Sequence, residues 1–115
     1  MTHQGSCHCG RTRFEVQGEI GVVIECNCSH CSSKGALWWF VPRQAMRLLT
    51  PDSELSTYLF NKHVIQHRFC PHCGCEPFGH GTDPSGNPTA AINARCLEDV
   101  EVSKLKRMAY DGRNK

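Results

Sequence analysis

Short apolar segments separated by turn residues run along most of this chain. β-Branched and aromatic residues dominate these segments, and Gly, Pro, Asn or Asp bounds them, a pattern that favours strands over helices. The predicted strands lie in residues 11–16, 21–26, 37–41, 57–60, 64–69 and 89–94. Helical spacing is confined to one or two turns near residues 43–49 and 52–55, where Asp52 is a candidate N-cap. The sequence therefore predicts a mainly β fold of antiparallel sheets with little helix.

Two adjacent tryptophans, Trp38 and Trp39, lie in the predicted strand at 37–41. Successive side chains of a strand point to opposite faces. One indole can therefore join a core while the other is exposed or lines a pocket or an interface. Alternatively, sheet packing on both sides buries both rings. The sequence leaves these two alternatives open.

The length of 115 residues predicts one domain, 1–115, with a core at about 5–100 and a C-terminal tail at 101–115. The N-terminus has no basic segment followed by an apolar run, and the longest apolar run, 36–41, has six residues. A secretory signal and a membrane span are therefore not expected, and the sequence predicts a cytoplasmic protein. The basic residues of the tail are consistent with a solvated end: Lys104, Lys106, Arg107, Arg113 and Lys115.

Nine cysteines in so short a chain favour a disulfide or a metal framework. Their odd number excludes complete internal pairing, and a reducing compartment disfavours disulfides, so the clustered cysteines indicate metal binding or catalysis. The sequence predicts two zinc ions per chain, bound by seven of the nine cysteines as thiolates. With these seven negative charges and four positive charges, the formal net charge of +2 becomes −1. The charge therefore does not indicate nucleic acid or a membrane as a partner.

Two cysteine pairs that are far apart in the chain have the spacing of zinc ligands. Cys7 and Cys9 form a C-x-C pair that projects both thiols to one side of an extended segment. Cys70 and Cys73 lie in C-P-H-C-G, where Gly74 can take a positive φ after the second ligand, as in a zinc knuckle. Each pair supplies two of the four ligands that structural zinc needs. Together they predict a closed site that stabilises the fold by closing a long loop.

A third group, Cys26, Cys28 and Cys31 in C-N-C-S-H-C, has no obvious fourth ligand. Structural zinc sites are closed, whereas catalytic sites keep one position for water or substrate. Zinc would keep a substrate thiol at that position deprotonated near neutral pH. Alternatively, Cys75 or Cys96 closes the site from within, which makes both zinc sites structural.

The histidines near these cysteines have two interpretations each. His8, His30 and His72 lie between cysteines and are predicted to be exposed, or to donate hydrogen bonds to sulfur, rather than to bind metal. His63 and His67 are four residues apart on a predicted strand and share a face. They line a pocket, where either is a candidate general acid, or lie on an ordinary surface.

At these residues the chain resembles a known family. The segments that carry the resemblance are GSCHCGRTRFEV, CNCSHCSSKGALWWFVP, STYLFNKHVIQHRFCPHCGCEPF and NARCLEDV. They are similar, in order and over nearly the whole chain, to the domain shared by glutathione-dependent formaldehyde-activating enzymes and centromere protein V. The resemblance implies an Mss4-like zinc fold. It also implies a structural zinc on Cys7, Cys9, Cys70 and Cys73 and a second, catalytic zinc on Cys26, Cys28 and Cys31.

The founding activity of that family implies a function. Its enzymes condense formaldehyde with glutathione to S-(hydroxymethyl)glutathione, a carbon–sulfur lyase-type reaction. The resemblance thus implies a zinc-dependent enzyme that acts on a small thiol such as glutathione and a small aldehyde, with the substrate thiol at the open position of the three-cysteine site. No paired arginines that would clamp the carboxylates of glutathione stand out in the sequence. The alternative is a non-catalytic, zinc-stabilised module that binds protein or nucleic acid.

Overall fold

A computed structural model describes residues 1–59 and 65–111. Over these two ranges the chain forms ten strands, one short α-helix and four 3₁₀ turns. The strands are β1 (Thr2–Ser6), β2 (Arg13–Gln17), β3 (Val22–Cys26), β4 (Trp38–Pro42), β5 (Met46–Leu48), β6 (Ser56–Tyr58), β7 (Gln66–Phe69), β8 (Phe78–Thr82), β9 (Pro88–Asn93) and β10 (Lys106–Tyr110). The helix α1 is Ser29–Lys34, and the 3₁₀ turns are Arg43–Ala45, Asp52–Glu54, Ala94–Cys96 and Val102–Lys104.

The strands form two sheets. The small sheet has the order β1-β2-β5, and the large sheet has the order β10-β3-β4-β9-β8-β7-β6. Strand pairs in the described ranges are antiparallel, except that β10 runs parallel to β3. The prediction of a mainly β fold is confirmed. No helix among the described residues is long and apolar enough to cross a membrane.

The six predicted strands correspond to β2, β3, β4, β6, β7 and β9. Residues 60–64 lie outside the described residues. They include the predicted end of one strand at residue 60, the predicted start of the next at residue 64, and the connection between them. The prediction missed β1, β5, β8 and β10. The sequence of β1 is T-H-Q-G-S and that of β8 is F-G-H-G-T, so each carries glycine and few of the β-branched and aromatic residues on which a strand prediction depends.

The prediction of helical turns was partly wrong. Residues 43–45 and 52–54 form single 3₁₀ turns, and residues 46–48 of the first region form β5 instead. Asp52 is not an N-cap, because the second turn begins after Pro51 without a side-chain cap. The carboxylate of Asp52 instead lies 3.0 Å from the guanidinium of Arg68.

The segment predicted as a C-terminal tail contains structure. A 3₁₀ turn spans Val102–Lys104, and β10 lies at the edge of the large sheet with Lys106 opposite Val22 and Tyr110 opposite Cys26. All five residues of β10 are exposed. A strand can add to a sheet edge through its main chain alone, and this explains why an unremarkable basic sequence forms one here. The last four residues, 112–115, are not among those described.

The main core lies between the two sheets. Phe14 and Val16 of β2 pack with residues of the large sheet, including Phe78 and Ile92, which have no exposed surface. The rings of Phe14 and Phe78 meet edge to face at a centroid distance of 5.9 Å, a favoured geometry for aromatic pairs. One face of the large sheet is therefore covered by the small sheet.

The two tryptophans of β4 point to opposite faces of the large sheet, and both are buried. Trp39 belongs to the main core, whereas Trp38 packs with Cys31 and Ala36 in a second, smaller apolar cluster. Of the two alternatives left open by the sequence, packing on both sides is correct. The second cluster forms around the short helix α1, which the sequence pattern did not predict.

A substitution at Gly5 tests the contact between the sheets. A Cβ atom added to Gly5 would overlap the buried ring of Phe14, with two ring carbons at 2.8 Å. We expect Gly5→Ala to lower the free energy of unfolding by about 1–3 kcal/mol, as overpacking does in a dense core. Chemical denaturation measures this loss.

Gly21→Ala is the matched control, because a Cβ at Gly21 meets no atom within 4 Å. Its free energy of unfolding should stay close to that of the unsubstituted protein. Equal stability of the Gly5→Ala and Gly21→Ala proteins would contradict the packing of Phe14 described above.

Candidate metal centres and cavity

The structure brings together the two distant cysteine pairs. Cys7, Cys9, Cys70 and Cys73, here called the four-cysteine cluster, have all four sulfurs within 4.8 Å of one another. The Cys9 sulfur lies 3.6 Å from that of Cys7 and 3.6 Å from that of Cys70. Neighbouring sulfurs around a tetrahedral zinc lie about 3.8 Å apart. The spacing of these thiols therefore fits a zinc ion.

Each pair of this cluster lies on a tight turn. The N–H of Gly10 donates to the carbonyl of Cys7, and that of Gly74 donates to the carbonyl of Cys70. Both glycines have φ of +82°, a conformation that other residues rarely adopt. Backbone N–H groups in such turns point toward the ligand sulfur, and the N–H of Thr12 lies 3.4 Å from the sulfur of Cys7. The positive φ predicted for Gly74 is confirmed, whereas the extended segment predicted for Cys7 and Cys9 was wrong, because these residues lie on a turn.

The four-cysteine cluster also joins the two sheets. Cys7 directly follows β1 of the small sheet, and Cys70 directly follows β7 of the large sheet. Both residues are buried. A metal ion held here would tie the two layers together.

Cys26, Cys28 and Cys31, here called the three-cysteine cluster, lie at the end of β3 and the start of α1. Their sulfurs lie within 4.8 Å of one another. Cys28 is the N-cap of α1, since its sulfur accepts the N–H of Cys31 at 3.3 Å. The helix ends after Lys34 because Gly35 takes the left-handed conformation at φ +68°. This short helix places Cys28 and Cys31 on one side, next to Cys26.

No fourth cysteine, histidine or carboxylate joins the three-cysteine cluster within the same distance in the described chain. Cys75 and Cys96, the residues considered as closing ligands, lie beside the other cluster. Burial, together with the charges of Cys75 and Cys7, raises the pKa of Cys96 to about 12. The backbone of Cys75 accepts the N–H of Cys70. The two clusters therefore differ in their number of converging thiols.

In each cluster, ionisation of one thiol makes ionisation of its neighbours less favourable. Burial raises the pKa of Cys73, but backbone hydrogen bonds from Cys75 and Cys9 outweigh burial, and the pKa is about 6. For Cys9 a backbone hydrogen bond from Arg11 lowers the pKa, yet burial and the thiols of Cys7 and Cys70 raise it to about 11. One thiolate thus disfavours the next. A divalent cation removes this conflict, so the donor set fits a bound metal.

The same opposition is found in the three-cysteine cluster. Burial raises the pKa of Cys28, but the hydrogen bond from the backbone N–H of Cys31 has the opposite effect, and the pKa is lowered overall. At Cys31 burial raises the pKa strongly, although the indole N–H of Trp38 acts in the other direction. That indole nitrogen lies 3.3 Å from the Cys31 sulfur. Trp38 thereby holds the least exposed thiol of the cluster in place.

The three-cysteine cluster lines a cavity of about 410 Å³, here called the main cavity because it holds these thiols. The cavity lies on the face of the large sheet that is opposite the small sheet. One row of residues paired across four neighbouring strands runs along it: Phe40, Ala91, Gly79 and His67. Small side chains in the middle of this row leave space between Phe40 and His67. A cavity of this volume suits a small molecule.

A buried group of ionisable side chains lies beside the main cavity. His30, His67 and Glu76 have their ligand atoms within 4.8 Å of one another. Nε2 of His30 lies 3.0 Å from one carboxylate oxygen of Glu76, and Nδ1 of His67 lies 3.2 Å from the other. The Glu76 side chain is only 2% exposed. Glu76 therefore bridges two imidazoles, one of which lines the main cavity.

The outcome for the histidines is mixed. His8 and His72 are exposed, as predicted, and a guanidinium nitrogen of Arg11 lies 3.1 Å from the ring of His72. The prediction of exposure was wrong for His30, whose side chain is 8% exposed because α1 turns it toward Glu76. Burial, the largest cause, lowers the pKa of His30. His63 lies outside the described residues. His67 is buried and lines the main cavity, one of its two predicted positions.

Sequence reasoning missed Glu76. It follows Cys75 and precedes the buried Pro77 and Phe78, so the C-E-P-F stretch places a carboxylate in an apolar setting. A charged residue at such a position is costly unless it has partners. That cost is the signal that could have identified it.

Comparisons with known proteins agree with this geometry. Residues 2–110 match the family model described as glutathione-dependent formaldehyde-activating enzyme. Among solved structures, the crystal structure of a Rhodobacter sphaeroides protein is similar, with a TM-score of 0.78 and 25% sequence identity. The similarity covers 94% of this chain and 100% of that chain. Both matches extend over nearly the whole chain, and the family match spans the positions of all seven cysteines of the two clusters.

Proposed function

Since this chain belongs to the glutathione-dependent formaldehyde-activating enzyme family, we propose that it is a zinc-dependent enzyme of the carbon–sulfur lyase type. It would form or cleave the adduct of a thiol and a small aldehyde, such as glutathione and formaldehyde. One observation carries the proposal. The three converging thiols line the main cavity, and no fourth ligand joins them in the described chain. A purely structural zinc site is instead closed by four protein ligands.

Two zinc ions per chain belong to the proposal. The four-cysteine cluster would hold a structural ion, and the three-cysteine cluster would hold the second. The sulfur spacing of the first cluster and the opposed pKa shifts in both support this assignment. When bound at the three-cysteine cluster, zinc keeps a substrate thiol deprotonated near neutral pH.

The residues of the chain would bring the reacting groups together. Trp38 and the three cysteines line the main cavity, and the substrate sulfur would lie beside them. The sulfur attacks the carbonyl carbon, a C–S bond forms, and the electron pair of the C=O bond moves to oxygen. The oxygen then takes up a proton and becomes a hydroxyl group. Cleavage reverses these steps, and holding both reactants in one cavity lowers their entropic barrier.

We assign the proton transfer to His67. It lines the main cavity together with the three cysteines, and Glu76 holds its Nδ1 at 3.2 Å. This contact orients the ring, since a carboxylate on one imidazole nitrogen fixes the tautomer and the position of the other. A positioned general acid typically contributes about 10²–10⁴-fold to a rate.

Substitutions in the two cysteine clusters test the assignment of their roles. Cys73→Ser removes a ligand from the cluster that joins β1 to β7, and structural zinc contributes on the order of 10 kcal/mol to folding. That is comparable with the whole stability of a typical domain, about 5–15 kcal/mol. We expect this variant to be unfolded or insoluble. Melting temperature and zinc content measured by native mass spectrometry give the result.

Cys28→Ser is the matched variant in the three-cysteine cluster. Serine is itself a good N-cap, so α1 should keep its start. We expect this variant to stay folded, to retain one zinc ion and to lose its acceleration of thiol addition to labelled formaldehyde, measured by exchange NMR. If Cys28→Ser unfolds as readily as Cys73→Ser, the three-cysteine cluster is structural and the proposal fails.

A substitution at His67 tests the proton transfer. His67→Asn should lower kcat on the order of 10²-fold, because the adduct oxygen loses its proton donor. Zinc content should not change. His72→Asn is the control, since His72 is exposed and lies at the other cluster. A full rate in the folded, zinc-loaded His67→Asn protein would exclude His67 as the acid.

A further inference from the structure

The main cavity is bounded mostly by apolar and small side chains, although His67, His80, Thr82, Thr89 and Tyr110 also line it. Its walls include Ile24, Trp38, Phe40 and Ile65, and its floor includes Gly81 and Ala91. Among the described residues, no Lys, Arg, Asp or Glu lines it. The sheet explains this composition, because glycine and alanine on the neighbouring strands β8 and β9 leave room between the larger side chains on either side.

Nearby cations of the described chain have other partners. Arg43 donates to the backbone carbonyls of Thr89 and Gly81 at 3.3 and 3.2 Å and does not itself line the cavity. The guanidinium of Arg68 lies 3.0 Å from the carboxylate of Asp52. Neither side chain lines the main cavity. Burial lowers the pKa of His80, a lining residue, to about 4, and the charges of Arg43 and Arg68 act in the same direction.

A second cavity has the opposite character. It has a volume of about 380 Å³ and is lined by residues that include Ser29, Lys34 and Glu76. No cysteine lines it. The ammonium group of Lys34 lies 5.8 Å from the ring centre of Phe69. The cavity with Lys34 and Glu76 therefore lacks the thiols, and among the described residues the cavity with the thiols has no Lys, Arg, Asp or Glu in its lining.

Glutathione is a poor match for the main cavity on these grounds. It carries two carboxylates and an ammonium group, and burying a charge without a partner is costly. An apolar group of similar size instead gains free energy from each CH₂ that leaves water, about 0.8 kcal/mol. The lining favours such a group.

We propose that the main cavity takes the apolar carbon group of a thiol–aldehyde adduct, such as an aryl or a medium-length alkyl group, in place of the glutathione tripeptide. The inference rests on the proposed function for its chemistry and names the substrate class of that site. The reaction is balanced without a further reactant. The thiol RSH and the aldehyde R′CHO give RS–CH(OH)R′, the C–S bond forms, and the thiol proton ends on the oxygen.

The apolar group can belong to the thiol or to the aldehyde, and three reactant pairs distinguish these sources. The pairs are benzyl mercaptan with formaldehyde, glutathione with hexanal, and glutathione with formaldehyde. We expect kcat/KM of the zinc-loaded protein to be at least tenfold higher for one of the first two pairs than for the third. An equal or higher value for glutathione with formaldehyde would overturn the inference and leave the proposed function standing.

Binding gives a readout that does not depend on turnover. Benzyl mercaptan should shift the NMR signal of the Trp38 indole N–H, because Trp38 lines the main cavity. Ala91→Leu should weaken this binding at least tenfold, because the larger side chain fills the floor of the cavity. Ala109→Leu is the matched control, since Ala109 is exposed on β10 and does not line the cavity.

The two readouts separate the two ideas. Absence of acceleration with all three pairs, together with binding of benzyl mercaptan that Ala91→Leu weakens, would exclude the proposed function and retain the apolar site. Absence of that binding, or equal binding by the Ala91→Leu and Ala109→Leu proteins, would overturn the apolar site.

Discussion

The two faces of the large sheet are packed differently, and the rest of the structure depends on this arrangement. The two-residue period of a strand sends Trp39 into the core shared with the small sheet and Trp38 to the opposite face, against Cys31. The first face supplies the apolar burial of the fold. The second face carries the three-cysteine cluster and the main cavity. Stability and proposed chemistry therefore lie on opposite sides of one sheet.

The two cysteine clusters differ in how far apart their members are in the chain. Cys9 and Cys70 are separated by 61 positions, so a metal ion held by their cluster would close a long loop and join the sheets. Closing such a loop removes much of the entropy of the unfolded chain. The three-cysteine cluster closes only a short loop around α1. The large entropy of loop closure thus indicates that the four-cysteine cluster stabilises the fold. The three-cysteine cluster closes little of the chain and is left available for ligand binding.

Much of the cysteine arrangement could be predicted because it depends on local spacing. C-x-C and C-P-H-C-G are short motifs, and Gly74 takes the conformation expected after the second ligand; Gly10, for which none was predicted, takes the same φ. The strands rich in Val, Ile, Trp and Phe could be predicted for the same reason. By contrast, β8 contains two glycines, and its place in the sheet depends on its neighbours β7 and β9.

The contacts of Glu76 could not be predicted either. They join residues on α1 and β7, which are far apart in the sequence, and no local pattern encodes such a meeting. The composition of the main cavity has the same origin, because its row of residues is defined by strand register across β4, β9, β8 and β7. Sequence spacing indicated which thiols meet. Tertiary structure decides what surrounds them, and that surrounding environment determines which ligand suits the site.

The central claim is that the three-cysteine cluster has room for a ligand from outside the chain, whereas the four-cysteine cluster does not. X-ray absorption at the zinc edge tests it most directly, on protein loaded with two zinc ions, before and after addition of benzyl mercaptan. The account predicts that the mean number of sulfur neighbours per zinc rises when the thiol is added. A sulfur count that stays the same at saturating thiol would show that both sites are closed and would contradict the account.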